Sequence, residues 1–123
     1  MPTIVHFDVP AGDIGRTQSF YGSLFEWTFE KYGDPMEYYH IATAALYGSQ
    51  GVNGGMGPQG EPGQQVMNYV DVPSVAEYLE RVAALGGKVI MPRVPIPGVG
   101  SLAICGDTEG NRFGLVDDDE NVA

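Results

Sequence analysis

The chain's two histidines, His6 and His40, each stand in a run that alternates in polarity, IVHFDVP at 4–10 and EYYHIATA at 37–44. Imidazole changes charge near neutral pH and serves as acid, base or metal ligand. Asp8 follows His6 by two residues, so on an extended strand both side chains share a face and Asp8 is placed to orient the ring of a general base. A spacing of two is a poor one for a direct bond. Alternation places Ile4, His6 and Asp8 opposite Val5, Phe7 and Val9, and places Tyr38 beside His40 with Tyr39 and Ile41 on the other side. In MNYVDVP at 67–73, Met67, Tyr69 and Asp71 oppose Asn68, Val70 and Val72. With the apolar faces packed under helices, His6 and Asp8 on the first strand and Met67, Tyr69 and Asp71 on the later one are left on the opposite faces. Two carboxylates beside aromatic rings suit a cation, through Coulomb attraction and cation–π contact.

Trp27, Tyr38, Tyr39 and Tyr69 are amphipathic aromatics able to form pocket walls or a dimer contact. Arg93 lies in PRVPIPGVG (92–100), a Pro/Gly-rich stretch too stiff for a helix and read as a loop at a pocket rim. The expected ligand-binding set is therefore His6, Asp8, Trp27, Tyr38, His40, Met67, Tyr69, Asp71 and Arg93, with His6 the candidate catalytic acid–base group. His6 and His40 are the weak candidates for metal ligation. The single cysteine, Cys105, has no basic residue beside it in sequence and reads as a buried, inert thiol. Asp117 to Glu120 reads as a frayed, solvated terminus. No phosphate loop occurs, two histidines leave no Ser-His-Asp order, and the glycine-rich segment 51–63 opens no helix pattern, so a dinucleotide fingerprint is absent.

The elements that carry these residues repeat. Residues 4–10 and 67–73 both close an alternating strand on Asp-Val-Pro, about half the chain apart. A helix signal follows each. Asp13 is a plausible N-cap for the first, which has Ile14, Phe20, Tyr21, Leu24 and Phe25 on one broad face. Ser74 and Glu77 have the spacing of a capping box for the second, whose stripe is Val75, Tyr78, Leu79, Val82 and Leu85, and Gly86-Gly87 stops it. Strand-like runs follow at 27–33, 37–44 and 45–56, then at 88–94, 101–107 and 111–117. Each half thus reads β-α-β-β-β: a first module at about 3–56, an extended polar linker at 57–65, a second module at 66–117 and an acidic tail at 118–123.

Composition narrows the function classes. The 123 residues, 43% apolar, suit one domain with one core. Six basic against 16 acidic residues give a net charge of −10, which makes nucleic acid and anionic membrane poor partners. No apolar run reaches membrane-spanning length, and MPTIVHFDVP lacks the basic start and apolar stretch of a secretory signal. The expected location is the cytoplasm. One cysteine makes no internal disulfide, so stability must come from packing or self-association.

The duplicated β-α-β-β-β unit, with His6 on an early strand, Phe20-Tyr21 in the first helix, Leu79 to Gly87, Pro97-Gly98 and a late Asp107-Thr-Glu-Gly-Asn-Arg-Phe-Gly-Leu115, resembles the vicinal oxygen chelate superfamily. That superfamily includes glyoxalase I, bleomycin resistance proteins and extradiol dioxygenases. The resemblance runs from about residue 4 to 117 and implies an α+β fold of two tandem modules forming a curved, partly open mixed sheet, a homodimer, and a small-molecule site on the concave surface. Metal enzymes of the superfamily draw three or four His, Glu or Gln ligands from the first and last strands of each module. Carried over, those positions fall on His6, on Asn53 or Gly54, on Met67 or Tyr69, and on Gly114. A divalent ion needs several converging N or O donors, and glycine offers none while a thioether suits soft Cu(I). The expectation is therefore a metal-free protein that holds a small, cationic or aromatic molecule, as in the bleomycin resistance branch, with no cofactor. The alternative is a lyase- or dioxygenase-like enzyme, using either a divalent-metal site rebuilt with His40, Asp8 or Glu37, or His6 as acid–base group.

Overall fold

In the computed structural model, which describes residues 1–33, 37–45, 48 and 50–118, the elements run β1 (Thr3–Ala11), α1 (Ile14–Phe25), β2 (Thr28–Lys31), β3 (Tyr39–Ala42), β4 (Gly54–Pro58), β5 (Met67–Asp71), α2 (Val75–Ala84), β6 (Lys88–Ile96), β7 (Gly100–Gly106) and β8 (Arg112–Asp117). The chain divides into two units, residues 6–66 and residues 1–5 with 67–123. In the first, the strand order is β2-β3-β4-β1: β2/β3 and β3/β4 are antiparallel and β4/β1 parallel. In the second it is β6-β7-β8-β5, again with two antiparallel pairs and one parallel. The Asp-Val-Pro repeat is thus a repeat of topology, and the class is α+β with mixed sheets.

Both helices start where side-chain oxygens satisfy their free amides. Asp13 accepts from the Arg16 amide at 3.0 Å, and Ser74 from the Glu77 amide at 3.2 Å. Gly86, at φ 94°, carries the chain out of α2. The first unit's core is Val9, Ala11, Ile41 and Met56, with Phe7, Ile14, Tyr21, Trp27, Phe29 and Tyr39 packed on it. The second unit's is Val72, Val75, Ala103, Cys105 and Leu115, with Val70, Tyr78, Leu79, Val82 and Phe113 around it. As alternation requires, Phe7 and Val9 in one unit and Val70 and Val72 in the other face the core.

Four expectations change. Of the strand expected over 45–56, where residues 46, 47 and 49 lie outside the described residues, a strand forms at Gly54–Pro58, and Thr43 donates its amide to Asn53 Oδ1 at 2.9 Å and its hydroxyl to the Val52 carbonyl at 2.5 Å. Those bonds tie Thr43 to the residues just before β4, and one isolated bridge pairs Ala44 with Gln50. The loop expected over 92–100 is largely strand: β6 runs through Pro92 and Pro95 to Ile96, and register shifts fall between Val89 and Met91 and between Met91 and Val94. Within its unit β6 is an edge strand, where proline costs no ladder bond on the open side. On α1, Ile14 and Tyr21 pack on the core, but Phe20, Leu24 and Phe25 are more than half exposed. Asp117 is no part of a frayed end, since it is 6% exposed as the last residue of β8; Asp118 follows it, and Asp119 and Glu120 lie outside the described residues, as does the rest of the expected tail.

Candidate functional site

The β2–β3 hairpin sets Glu30 opposite His40 and Lys31 opposite Tyr39. One pair further out, the Tyr32 amide donates to the Tyr38 carbonyl at 2.9 Å. Since Phe29, Tyr39 and Ile41 face the core, Glu30, Tyr32, Tyr38 and His40 stand together on the other face. Gly55 of β4 lies opposite His40 on one side and Asp8 of β1 on the other. Two strand spacings, roughly 10 Å, therefore separate the β3 backbone from Asp8, with no side chain between.

Tyr38 fills that gap. A Cβ at Gly55 would overlap its hydroxyl, and one at Gly57 would crowd its ring at 3.3 Å, so the GGMG sequence of β4 is the floor on which the ring lies. The hydroxyl donates to Asp8 Oδ1 at 2.5 Å. His6 Nε2 lies 3.0 Å from the same oxygen and 3.1 Å from the Tyr38 oxygen. An ionised carboxylate only accepts, and the phenol has spent its proton on it, so the network assigns the Nε2 proton to His6. The His6–Asp8 contact, poor on spacing alone, is closed by a phenol that bonds both. His6 and Asp8 remain 33% and 31% exposed, within reach of solvent and of a ligand. Beside them, Tyr32 packs on Tyr38 at 5.5 Å between centroids and 46° between planes, and on His40 at 6.2 Å and 71°.

Of the expected site residues, His6, Asp8, Tyr38 and His40 thus share one face of the first unit. Trp27 lies on its opposite face, stacked on Tyr21 at 5.1 Å and tilted against Phe7 at 5.7 Å. With Phe7, Thr43, Ala44, Ala45, Gly51 and Val52 it lines an open apolar recess of about 520 Å³, away from the His6 cluster. The remaining four belong to the second unit. Met67 is half-buried and Asp71 exposed; Tyr69 is buried, its ring covering Gly114, where a Cβ would strike it.

Arg93 donates from Nε to Ser101 Oγ at 3.1 Å, Ser101 donates to Asp117 Oδ1 at 2.5 Å, and Asp117 Oδ2 accepts the Val75 amide at 2.6 Å. This buried carboxylate sits at the first turn of α2, where the helix dipole favours an anion, and ties β8, β7 and β6 to the helix. Cys105 is buried, and burial pushes its thiol up, away from the thiolate.

Sequence reasoning missed Tyr32, Glu30 and Asp117. A signal for the first site existed in the glycines of β4, since an open strand face with no side chains has to be covered by a neighbour. The Asp107–Asn111 segment, in contrast, is a turn: Asp107 Oδ1 accepts the Glu109 and Asn111 amides at 2.8 and 2.9 Å, and Oδ2 accepts Asn111 Nδ2 at 3.0 Å. Those bonds hold the Asp107 carboxyl below its ordinary range.

The positions that correspond to metal ligands do not fit a divalent ion. Asn53 Oδ1 is engaged by the Thr43 amide, Gly54 is backed by the Phe7 ring and Gly114 by that of Tyr69, and His6 is bonded into the Asp8–Tyr38 cluster. Among the described residues, no three His, Cys, Asp or Glu side chains group so as to hold a metal.

The family model of the Glyoxalase/Bleomycin resistance protein/Dioxygenase superfamily matches residues 3–115. Among curated proteins there is no significant match. Among solved structures, the fold is similar to a hypothetical protein from Bacillus halodurans C-125, with TM-score 0.68, 14% identity and coverage of 99% of this chain and 98% of that one. It is also similar to a glyoxalase/bleomycin resistance protein/dioxygenase superfamily member from Vibrio splendidus 12B01, with TM-score 0.66, 17% identity and coverage of 96% and 100%. A third likeness is to a 2,3-dioxygenase from Pseudomonas sp. KL28, with TM-score 0.65 and 12% identity, covering 98% of this chain and 44% of that one. No helix among the described residues is long and apolar enough to cross a membrane.

Proposed function

We propose, from the premise that the chain belongs to the Glyoxalase/Bleomycin resistance protein/Dioxygenase superfamily, that it binds a small cationic or aromatic molecule on the His6–Asp8–Tyr38 face of its first unit, without a metal. The observation that carries this reading is the Asp8 carboxylate, one-third exposed and fixed by Tyr38 at 2.5 Å and His6 at 3.0 Å over a floor of glycine. A carboxylate held in place loses little rotamer freedom when a ligand arrives, and the rings beside it offer π faces to the same positive charge.

Isothermal titration with benzylammonium, benzyl alcohol and benzoate tests it. Benzylammonium is expected to bind, and Asp8→Asn to weaken it by up to about fivefold, the range of a solvent-reached ion pair. Preferential binding of benzoate, or benzylammonium binding indifferent to Asp8→Asn, overturns the reading.

One observation favours a second reading, a metal-independent enzyme with His6 as acid–base group: the imidazole already has a carboxylate and a phenol within hydrogen-bond distance, the orientation that general catalysis needs. Turnover of a bound carbonyl compound, lost in His6→Gln with binding retained, is its signature. We also propose a homodimer in the cytoplasm. The half-exposed Phe20, Leu24 and Phe25 of α1 support self-association, and light scattering on the eluted protein checks it.

A further inference from the structure

We propose that Tyr32, Tyr38 and His40, flanked by Glu30 and Asp8, form a subsite for an alkylated ammonium group. The proposal rests on the reading of this face as a small-molecule site and names the chemistry it selects.

Three aromatic side chains meet here on two neighbouring strands. Tyr32 lies 5.5 Å from Tyr38 and 6.2 Å from His40, at 46° and 71°. The two pairs are inclined and not stacked face to face, so neither contact covers both faces of a ring. Tyr32 is 61% exposed, the outer wall of the group. Its position follows from pairing, since Tyr32 and Tyr38 extend the register in which Glu30 faces His40. Two carboxylates bracket the rings, Glu30 on β2 and Asp8 on β1, while Lys31 pairs with Tyr39 in the alternate register.

The hydrogen-bond network then separates one kind of cation from another. Asp8 Oδ1 already accepts from Tyr38 and from His6. A primary ammonium that donates to this oxygen must compete with both. A quaternary or trimethylated ammonium has no proton to donate and is held by the field of the carboxylates and by the π faces alone, so it leaves the cluster intact. Recognition of such groups by aromatic side chains is an established use of cation–π attraction.

The test is an NMR titration of the whole chain with tetramethylammonium, with tert-butanol as its neutral counterpart of similar shape, following the ring resonances of Tyr32, Tyr38 and His40. Saturable shifts are expected with the cation and not with the alcohol. Tyr32→Leu removes an exposed ring without touching the core, and is expected to weaken the cation about two- to fivefold, the worth of one exposed cation–π contact. Glu30→Gln is expected to weaken it by a smaller factor, as for an exposed ion pair. Equal shifts with tert-butanol, or an unchanged affinity in Tyr32→Leu, overturn the proposal. Benzylammonium binding that survives Tyr32→Leu while tetramethylammonium fails sinks the subsite and leaves the broader function standing. Absence of any shift on this face with ammonium, alcohol or benzoate removes both.

Discussion

Gly55 is where the site and the fold test each other. A Cβ there would overlap the Tyr38 hydroxyl, so Gly55→Ala must drive the ring off the β4 floor and break its 2.5 Å bond to Asp8. A hydrogen bond to a charged group is worth about 1.5–3 kcal/mol net, and partial exposure of Asp8 puts the loss near the lower half of that range. Against it stands a gain: Gly55 is not among the glycines with positive φ, so alanine fits its backbone and removes roughly 0.5–1 kcal/mol of unfolded-state entropy. The net expectation is a destabilisation of about 0.5–2 kcal/mol. In a Tyr38→Ala background the obstacle is gone and only the gain is left, so the same Gly55→Ala change becomes neutral or stabilising by up to about 1 kcal/mol. The coupling between the two sites, on the order of 1.5–2.5 kcal/mol, lies well above the error of a double-mutant cycle. Urea unfolding followed by the fluorescence of Trp27, on the opposite face, measures all four proteins. If Gly55→Ala costs the same with and without Tyr38, the glycine floor is not there to admit the ring, and the account of how Tyr38 reaches Asp8 fails with it.

Three further outcomes follow from the second unit and the helix ends. Asp117→Ala leaves the Val75 amide and the Ser101 hydroxyl short of a buried acceptor and, at about 1.5–3 kcal/mol for each hydrogen bond to a charged group, is expected to cost about 3–5 kcal/mol in urea unfolding, whereas Asp118→Ala, one residue on and exposed, stays within about 0.5 kcal/mol of the parent; equal costs would restore the solvated-tail reading. Asp107 has its carboxyl held down by the Asn111 and Glu109 bonds, so its folded pKa lies below the unfolded one. Its stabilisation is therefore present above the unfolded value of about 3.9 and lost as pH falls through the folded value. The stability gap between the parent and Asp107→Asn should be constant near neutrality and close in acid; a gap that widens in acid refutes the assignment. Glu26 holds a left-handed backbone at φ 61° as the C-cap of α1, and its negative charge sits at the wrong end of the helix dipole. Glu26→Gly is expected to raise stability by about 0.5–1 kcal/mol in thermal unfolding, and a fall would show that the side chain makes a compensating contact.

How much of this was legible in the sequence depends on the range of the interaction. Polarity alternation in β1 put His6 and Asp8 on one face and Phe7 and Val9 on the other, because side chains on a strand have no other choice. Asp13 and Ser74 marked both helix starts because capping is settled within a turn. The bond from Tyr38 to Asp8 spans 30 residues and depends on the registers of β3 on β4 and β4 on β1, which no local pattern fixes. Asp117 misled for a related reason. Composition places it in a run of four acids, but its environment is made by Ser101 and the α2 amide, both distant in sequence. The prolines and glycines of 92–100 read as a loop beyond a strand at 88–94, yet Pro95 fits within a strand that has one neighbour, and β6 has only β7 beside it within its unit.

Two glycines, one in each unit, have the same fate. Gly114 lies under the ring of Tyr69, its cross-strand partner, and Gly55 under that of Tyr38, which comes from the next strand. In each unit a glycine on the strand parallel to the first makes space, and a tyrosine from a neighbouring strand takes it. A donor side chain placed at either glycine would have to displace that ring. The electrostatic consequence is specific. A resident divalent ion would balance the carboxylates around it, whereas Asp8 is balanced by hydrogen bonds from a phenol and an imidazole, which spread its charge but do not cancel it. On the proposed reading the missing positive charge arrives with the ligand, and the selectivity of this face is then for a cation that does not ask for those hydrogen bonds.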